Sequence, residues 1–570
     1  MLEINWIKLE IHINPDRIRG NGAGSVRIFC ASEGWGQGYK YVKKAKNSSD
    51  FVITIVYYRQ IILGMCGWES CITPKEVRYM VSFLGGLVLL IAGYFLYGSF
   101  VERVFHPDSR QTPAYSMEDD VDFVPMSTSR AFLVQLLNIA GLGPIFGALS
   151  GALWGPVVYI WIVLGTIFAG GVHDYLSGML SERNNGASIS EIVGKYLGPV
   201  MAVVMRIFSV ILLVMVGVVF MVGPAGLIAL LTPEALNVQF WTIVILIYYF
   251  LATLLPIDKI IGKLYPIFGI CLIVMALGIA GATLYYSGTR PMLEIWDHVE
   301  NMYPGKELPI WPLMCITVAC GAISGFHATQ SPMMARCIKS EKEGRKVFYG
   351  AMVAEGVIAL IWASAGIAFY YDRAGAGTGL QALLAAKGGN STTVYDMSIQ
   401  LLGGVGGVLA MLGVIACPIT SGDTAFRSAR LTIADWFKID QKDTKKRLML
   451  SVPLLLVGYG ISFLDYNTIW RYFSWSNQTL AMMALWAAAT YVCRFVGRNY
   501  GWIAAVPATY MTSVSVAYIL QAQEGFRLPA ALSNGVGICA AVVCLTLYVV
   551  KVYVKSEVKS TRKDEALVIK

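Results

Sequence analysis

The segment GAISGFHATQSP, residues 321–332, brings polar and helix-weakening residues to the end of the apolar run WPLMCITVAC. Glycine and proline free backbone groups that lipid cannot satisfy, so an interrupted helix in a membrane must line a cavity or be covered by protein. His327 can change charge near neutral pH, which suits proton coupling or carboxylate binding; a neutral histidine bonded to a nearby carbonyl is the alternative. The candidate substrate-binding residues of this segment are Gly321, Ser324, Gly325, His327 and Gln330.

A second segment of the same character is NIAGLGPIFG, residues 138–147. It combines glycines and a proline with one polar residue inside an otherwise apolar run. Its unwound carbonyls could complete a cation site, and the N-terminus of the following half-helix would attract a carboxylate. The candidate substrate-binding residues here are Asn138, Gly141, Gly143 and Pro144.

The stretch CPITSGDTAFRSAR, residues 417–430, offers hydroxyl and carboxylate oxygens at the end of another apolar run. Hard cations prefer oxygen ligands. Thr420, Ser421 and Asp423 are therefore candidates for coupling transport to a driving ion. Asp423 and Arg427 are also spaced i, i+4, so an ordinary ion pair at a helix end is the alternative.

Ionisable residues occur at two further places in apolar sequence, where each costs roughly 2.5–3.5 kcal/mol at the centre of a bilayer. Glu355, in AMVAEGVIALIW, is a fourth ion-coupling candidate. Its carboxyl group should be neutral or paired with a residue of another helix. Arg206 could be that partner, or it could simply snorkel to the membrane interface. His173 and Asp174, in GGVHDYLSGM, are expected at the cytoplasmic end of a span. They would form a gate or proton-exit pair there, or simply a solvated helix end.

The elements that must position these residues are membrane spans. The 570-residue chain is 56% hydrophobic and 14% charged, with a mean hydropathy of +0.59. Continuous apolar runs of about twenty residues match the thickness of a bilayer and exclude the alternating pattern of a barrel, so we predict an all-α polytopic membrane protein. The thirteen predicted spans are 80–100, 131–152, 154–172, 200–231, 240–256, 262–287, 311–330, 348–371, 401–424, 448–463, 473–493, 501–523 and 530–550.

Basic residues decide the orientation of these spans. With the 101–130 loop taken as cytoplasmic, the connections and tail on that side carry 26 Lys and Arg residues, and those on the other side carry six. This bias predicts a cytoplasmic C-terminus. The net charge of +9 lies mainly in these connections, which indicates membrane topology rather than nucleic-acid binding.

Signatures of catalysis and of metal binding are missing from the sequence. No Walker pattern occurs, so ATP-driven transport within this chain is excluded. The eleven cysteines form no CxxC or Cys/His ligand spacing. We expect neither enzymatic activity nor a metal or other cofactor, and we expect an ion gradient to supply the energy.

Residues 1–79 differ in character from the rest of the chain. They are polar and aperiodic, with eleven Lys and Arg residues against seven Asp and Glu, and they carry no signal-peptide cleavage pattern. The predicted orientation would place this basic segment outside the membrane. We therefore expect 1–79 to be a mis-started or disordered extension and 80–570 to be the membrane domain.

The two interrupted segments fall in the second and the seventh predicted spans, five spans apart. Because five is odd, two five-helix units in series have opposite orientations in the membrane. Paired broken helices at matching positions of inverted repeats indicate the binding site of a transporter, and two ordinary Gly/Pro kinks are the alternative. Repeat one would cover 131–287 and repeat two 311–493, followed by trailing helices at 501–550.

Several long blocks of the sequence resemble the carbon starvation (CstA) family of bacterial membrane transporters. They are NIAGLGPIFGALSGALWGPVV, GGVHDYLSGMLSERNNGASISEIVGKYLG, GFHATQSPMMARC and WRYFSWSNQTLA, and the resemblance runs from Met80 to about residue 550. It implies uptake of peptides, or proton-coupled uptake of pyruvate, and the LeuT-like fold of the APC superfamily. That fold is a five-plus-five inverted repeat, here with one extra leading and two trailing helices. In LeuT-like folds the helix that would carry Thr420 and Ser421 supplies hydroxyls to a cation site beside the first broken helix.

We therefore predict a secondary transporter of the bacterial cytoplasmic membrane, linked to carbon starvation, that imports peptides or small carboxylates such as pyruvate with protons. A Na⁺-coupled symporter is the first alternative, since Thr420 and Ser421 would suit sodium equally. A membrane sensor without transport is the second, and paired broken helices disfavour a channel. The expected partners are a small-molecule substrate and the lipid bilayer, without nucleic acid; the sequence leaves the oligomeric state open.

Overall fold

The computed structural model describes residues 10–11, 28–29, 80–119, 122–254, 257–290, 292–306, 308–371, 380, 384, 389–441 and 443–556. The chain divides into two compact units, Met1–Pro74 and Lys75–Lys570. In the first unit, two short strands, β1 (Glu10–Ile11) and β2 (Ile28–Phe29), pair antiparallel. Most of the predicted extension 1–79 lies outside the described residues.

The second unit is built of helices. The principal ones are α1 (Val81–Phe105), α2 (Thr128–Ile139), α3 (143–154), α4 (156–183), α5 (Ile189–Leu197), α6 (Pro199–Leu231), α7 (Val238–Leu254), α8 (Ile257–Tyr285), α9 (Cys315–Thr317), α10 (Gly325–Ala335), α11 (Glu341–Phe369), α12 (Gly389–Phe437), α13 (Thr444–Ile461), α14 (Tyr466–Tyr491), α15 (Trp502–Gln521) and α16 (Ala530–Tyr548). Each of the thirteen predicted spans overlaps at least one of these helices. Within the described residues, nine helices are long and apolar enough to cross a membrane, counting α3 and α4 as one.

Both predicted helix interruptions are present. α2 ends at Ile139, and helical backbone resumes at Gly143. α9 ends at Thr317 and α10 begins at Gly325, so residues 318–324 separate them. Gly321 in this second break has a φ of +92°, a conformation that residues with a side chain rarely adopt. The prediction of two broken helices is confirmed.

The chain reverses direction between α3 and α4. The turn is at Gly155, whose φ is +77°, followed by Pro156. Gly143 at the start of α3 and Gly165 within α4 both lie against residues 320–322 of the second break. α3 and α4 therefore pass the second break in opposite directions.

α4 is longer than the sequence predicted. It continues to Arg183, so the prediction that the third span ends near residue 172 is wrong. His173 and Asp174 are not at a solvated helix end: they lie within α4 and are 1% and 0% exposed. The helix continues because apolar neighbours such as Leu176 bury it against other helices, and because these polar groups have partners there.

Burial separates central helices from peripheral ones. In the most apolar window of the α3–α4 run 78% of residues are buried, against 83% for α11 and 78% for α14. The corresponding shares are 22% for α16 and 28% for α8, whose exposed faces carry large side chains such as Leu277 and Ile538. Apolar side chains on the outside of a bundle are typical of lipid-facing helices. In the corresponding window of α12 82% of residues are buried. The centre of the second unit is therefore built around α4, α11, α12 and α14.

Candidate functional site

The two helix breaks lie directly against each other. A Cβ atom added to Gly143, after the first break, would overlap the side chain of Cys320 in the second break. A Cβ atom added to Gly321 would overlap the side chain of Ala359 and lie 3.6 Å from the Cα of Pro144. Only glycine permits backbones to approach this closely. The residues predicted from two distant sequence segments thus share one buried location.

The exposed backbone of the second break is satisfied by side chains of α4. The Thr166 hydroxyl donates to the carbonyl of Gly321 at 2.8 Å, and the Trp161 indole N–H donates to the carbonyl of Val318 at 3.1 Å. Unwound backbone is stable within a membrane protein only when such partners replace water. Side chains of α4 therefore help to hold the break open.

Two residues of α14, missed by the sequence analysis, also hold the second break. Asn477 Oδ1 accepts from the N–H of Phe326 at 2.6 Å, and its side chain hydrogen-bonds with Ser324. The amide of Gln478 donates to the carbonyl of Cys315 at 2.6 Å. Adjacent Asn and Gln inside an apolar span are a signal of buried polar contacts, but in the sequence they served only to support the family resemblance.

Four ionisable side chains meet at the second break, which we call the His327 cluster: His173, Asp174, His327 and Glu355. Asp174 accepts from both imidazoles, with Oδ1 2.8 Å from Nδ1 of His173 and Oδ2 2.8 Å from Nδ1 of His327. Nε2 of His327 lies 3.2 Å from Oε2 of Glu355, close enough for an ion pair although not aligned as a hydrogen bond. The structure therefore brings the predicted gate residues, the predicted substrate ligand His327 and the predicted coupling residue Glu355 into one cluster.

The cluster can bind and release a proton away from water. The side chains of Asp174, His327 and Glu355 are all 0% exposed. An imidazole protonated on both nitrogens would face one carboxylate on each side. Loss of that proton would add a negative charge to a buried site, which is costly unless the surroundings change. Protonation of the cluster would therefore favour a different arrangement of its side chains or a different bound charge.

The same place also offers donors for a metal ion. Ligand atoms of Cys320, His327 and Glu355 lie within 4.8 Å of one another and are buried. Thiolate, imidazole and carboxylate are the donor types of zinc and similar transition metals, and the bond from His327 Nδ1 to Asp174 resembles the outer-shell support of a metal-bound histidine. The sequence, in which these residues are far apart, predicted no metal site.

The other predicted coupling residues lie on α12 and separate into two groups. The Ser421 hydroxyl donates to the carbonyl of Leu137, just before the first break, at 2.9 Å, while that of Thr420 donates within α12. Asp423 instead lies 3.7 Å from Arg427, four residues further along the helix. This is the predicted alternative of an ion pair, but it is buried rather than solvated, since the residues are 8% and 9% exposed.

The remaining predicted ligands are buried beside the breaks. Asn138 lies in the last turn of α2 and is 1% exposed. Gly141 packs against the ring of Phe220 on α6. Gln330 is 0% exposed, and its amide donates to the Thr329 hydroxyl at 3.0 Å. Their role in substrate binding stays a prediction.

A second charged group ties the end of α4 to the start of α11. Glu341 accepts from Nε and Nη2 of Arg183 at 2.8 and 3.1 Å, and from the N–H of Asp108 at 2.8 Å. Asp108 lies in the loop after α1 and is hydrogen-bonded to Arg110, which lowers the pKa of its carboxyl group to about 2. Asp108 therefore stays ionised throughout the physiological pH range.

The sequence profile of the family described as carbon starvation protein CstA matches residues 79–230, 229–369 and 373–517. The chain belongs to this family. The match covers both breaks, the His327 cluster and the Asn477 anchor, so these features lie in the part of the chain that the family shares.

Individual relatives carry names of membrane proteins and transporters. An uncharacterized membrane protein of Haemophilus influenzae is 44% identical over 51% of this chain and 91% of its own length. The peptide transporter CstA of Campylobacter jejuni is 25% identical over 82% of this chain and 84% of its own. The pyruvate/proton symporter BtsT of Escherichia coli is 26% identical over 53% and 51%. Together with the nine apolar helices, the family membership identifies a multi-pass membrane protein.

Proposed function

We propose that this protein is a secondary transporter that imports peptides or small carboxylates, such as pyruvate, together with protons. The observation that carries the proposal is the His327 cluster, in which an imidazole lies between Asp174 and Glu355 at the meeting point of two broken helices. Broken helices that meet within a bundle are typical of substrate sites in secondary transporters. The names of the CstA and BtsT relatives support the two cargo classes.

Coupling would follow from the charge of the cluster. Its members lie on three elements: Asp174 on α4, His327 on the half-helix α10, and Glu355 on α11. Gain or loss of a proton changes the attraction between α10 and its two neighbours. A ligand shifts a conformational equilibrium by its differential affinity for the two states, and a proton bound at His327 would act in this way on α10. We infer that proton binding at His327 strengthens the contacts of α10 with α4 and α11.

A sodium-coupled mechanism is the second candidate, because of one contact. Ser421 and the carbonyl of Leu137 are 2.9 Å apart beside the first break, so oxygen atoms of the kind that bind sodium are already together. The carboxylates of the His327 cluster, by contrast, are associated with histidine, which favours the proton. The two candidates predict different driving gradients.

The test is transport by the purified protein in proteoliposomes. Labelled pyruvate and a labelled dipeptide are supplied under an inward proton gradient, an inward sodium gradient or no gradient. We expect accumulation of at least one cargo under the proton gradient, and His327→Gln should abolish it because glutamine does not titrate. His298→Gln is the matched control, since His298 lies outside the cluster beside Glu300. Accumulation driven by sodium alone, or a His327→Gln variant that accumulates normally, would contradict proton symport.

We further propose that the protein lies in the cytoplasmic membrane with its C-terminus inside, as thirteen spans in a LeuT-like five-plus-five inverted repeat, and that it works without a cofactor. The bias of basic residues and the two meeting breaks support this arrangement. A C-terminal affinity tag should be accessible to protease in inside-out vesicles and protected in intact spheroplasts. The opposite pattern would overturn the orientation.

A further inference from the structure

A buried acidic pair lies outside the His327 cluster, at the far end of α4. Glu182 is 2% exposed, and neither of its carboxyl oxygens accepts a hydrogen bond from the described residues. Its carboxyl group lies against that of Glu341 at the start of α11. Glu341 receives donors from Arg183 and from the N–H of Asp108. The neighbouring hydrogen-bond donors therefore bind Glu341, and Glu182 accepts none from the described residues.

This asymmetry places a proton on Glu182. A buried carboxylate without a donor is unfavourable, and two carboxylates in contact do not both remain ionised. Glu341 is paired with Arg183 and lies 3.3 Å from Nε of Arg110, so it retains the negative charge. Glu182 then carries the proton and donates it to an oxygen of Glu341. The pair is a proton-binding site that Asp174 and His327 do not belong to.

The pair lies between the His327 cluster and the exposed loop of Asp108. Glu182 follows Asp174 by eight residues on the same helix, which corresponds to about 12 Å along the axis. Tyr175, next to Asp174, has a buried hydroxyl without a hydrogen-bond partner among the described residues and lies within electrostatic reach of Glu341. On its other side the pair is covered by the loop containing Asp108, whose side chain is 51% exposed.

We propose that Glu182 is the proton-release residue of this transporter. A proton bound at the His327 cluster passes to Glu182, and the Glu182–Glu341 pair delivers it to water beside the loop of Asp108 and Arg110. Only a proton moves in this step, and the next proton from the cluster restores the pair. The inference rests on the proton symport proposed above. It assigns Glu182 a function in transport, which the position of a glutamate at a helix end would not by itself indicate.

Glu182→Gln is the decisive variant. A glutamine amide donates to Glu341 as a protonated carboxyl group does, so the packing is kept while titration is lost. We expect proton-driven accumulation to fall at least about tenfold, as for the loss of a proton-transfer group. Counterflow, the exchange of internal for external substrate without a gradient, should be unchanged because it needs no net proton release. Glu343→Gln is the matched control, since Glu343 accepts from the Thr128 hydroxyl and is not part of the pair.

Glu182→Asp separates titration from shape, since it keeps a carboxyl group on a shorter side chain. We expect it to recover much of the accumulation that Glu182→Gln loses. Normal accumulation by Glu182→Gln would overturn the proposal, and so would an equal loss of accumulation and counterflow in both variants. If the wild-type protein uses a proton gradient and His327→Gln does not, while Glu182→Gln behaves as wild type, only this inference fails. A wild-type protein that ignores the proton gradient would instead remove the proposed function.

Discussion

At the scale of single residues, two buried carboxylates have different neighbouring side chains, and we therefore expect them to have different roles. Glu355 lies 3.2 Å from Nε2 of His327 and has no arginine or lysine within ion-pair distance among the described residues. Asp423 lies 3.7 Å from Arg427, whose Nη2 also donates to the carbonyl of Ala252. A neighbouring arginine stabilises the charged form of a carboxylate at every pH, whereas a neighbouring histidine can exchange a proton with it.

We therefore expect Glu355→Gln to abolish proton-driven accumulation while counterflow continues. Asp423→Asn should leave the ratio of accumulation to counterflow unchanged and should lower the amount of folded protein, because Arg427 then lacks its counter-charge in a buried site. Both rates are measured side by side in proteoliposomes containing equal amounts of protein. Loss of accumulation in Asp423→Asn alone would move the coupling site to α12.

A third residue-scale expectation concerns Gly325, the first residue of α10. A Cβ atom at this position would overlap the carbonyl oxygen of Asn477 and the backbone nitrogen of Ala481. These are backbone atoms of α14, so they cannot rotate away. Gly325→Ala should destabilise the protein by about 1–3 kcal/mol through overpacking, seen as a lower Tm in detergent. Gly85→Ala is the control, since no atom lies within 4 Å of that Cβ position, and equal Tm values would show that α10 and α14 can separate at little cost.

At the scale of elements, the helix breaks could be predicted from the sequence and their contacts could not. Gly141, Pro144 and Gly321 reveal a break because lipid cannot satisfy the backbone that they free. Tertiary packing decides which side chains satisfy that backbone. The sequence therefore did not indicate that Thr166 and Asn477 would contact the second break. The length of α4 was missed for the same reason: His173 and Asp174 look like a helix end until their partners on other helices are known.

The end of α4 is fixed to the start of α11 by Glu341, which also reaches the loop after α1. The carboxylate is 0% exposed and receives two hydrogen bonds from Arg183. Glu341→Gln should cost about 3–5 kcal/mol, because it leaves a buried arginine without its counter-charge. Chemical or thermal unfolding in detergent measures this loss, with Glu343→Gln as the control. An unchanged midpoint would mean that the three elements are held together by apolar packing alone.

The pH dependence of this junction follows from Asp108. Its folded-state pKa is lowered to about 2 by the hydrogen bond from Arg110, so its contribution to stability is present above its ordinary pKa and is lost as pH falls through about 2. Between about pH 5 and pH 8 the contribution is constant. Asp108→Asn should therefore leave the pH dependence of the Tm unchanged over that range. A changed pH dependence of the Tm between about pH 5 and pH 8 would mean that Asp108 titrates there.

At the scale of the whole molecule, the fold is organised around α4, α11, α12 and α14, which are buried on most sides. Of these, α4, α11 and α14 carry the His327 cluster or its supports. Apolar composition and apolar runs of about twenty residues predicted the membrane class and the helix positions because they reflect contact with lipid, which acts on every span alike. The pairing of α4 with α10 and α11 depends on specific side chains. The hydrophobic periodicity of a helix does not indicate which other helix it will contact. The inverted repeat and the thirteen-span order stay predictions.

The start of the membrane unit gives the last prediction. Glu294 is 2% exposed and accepts from the N–H groups of Val81 and Ser82 and from the Ser82 hydroxyl, which fixes the first turn of α1. Residues 1–79 lie before this contact, and the first compact unit ends at Pro74. A protein that begins at Met80 should therefore match the full chain in membrane insertion, Tm and uptake. A protein that begins at residue 85 should be less stable by about 1–3 kcal/mol, because Glu294 is left buried without its donors. If both truncations insert poorly, the residues before Met80 contribute to folding of the membrane unit; if both match the full chain, Glu294 is not needed to hold α1.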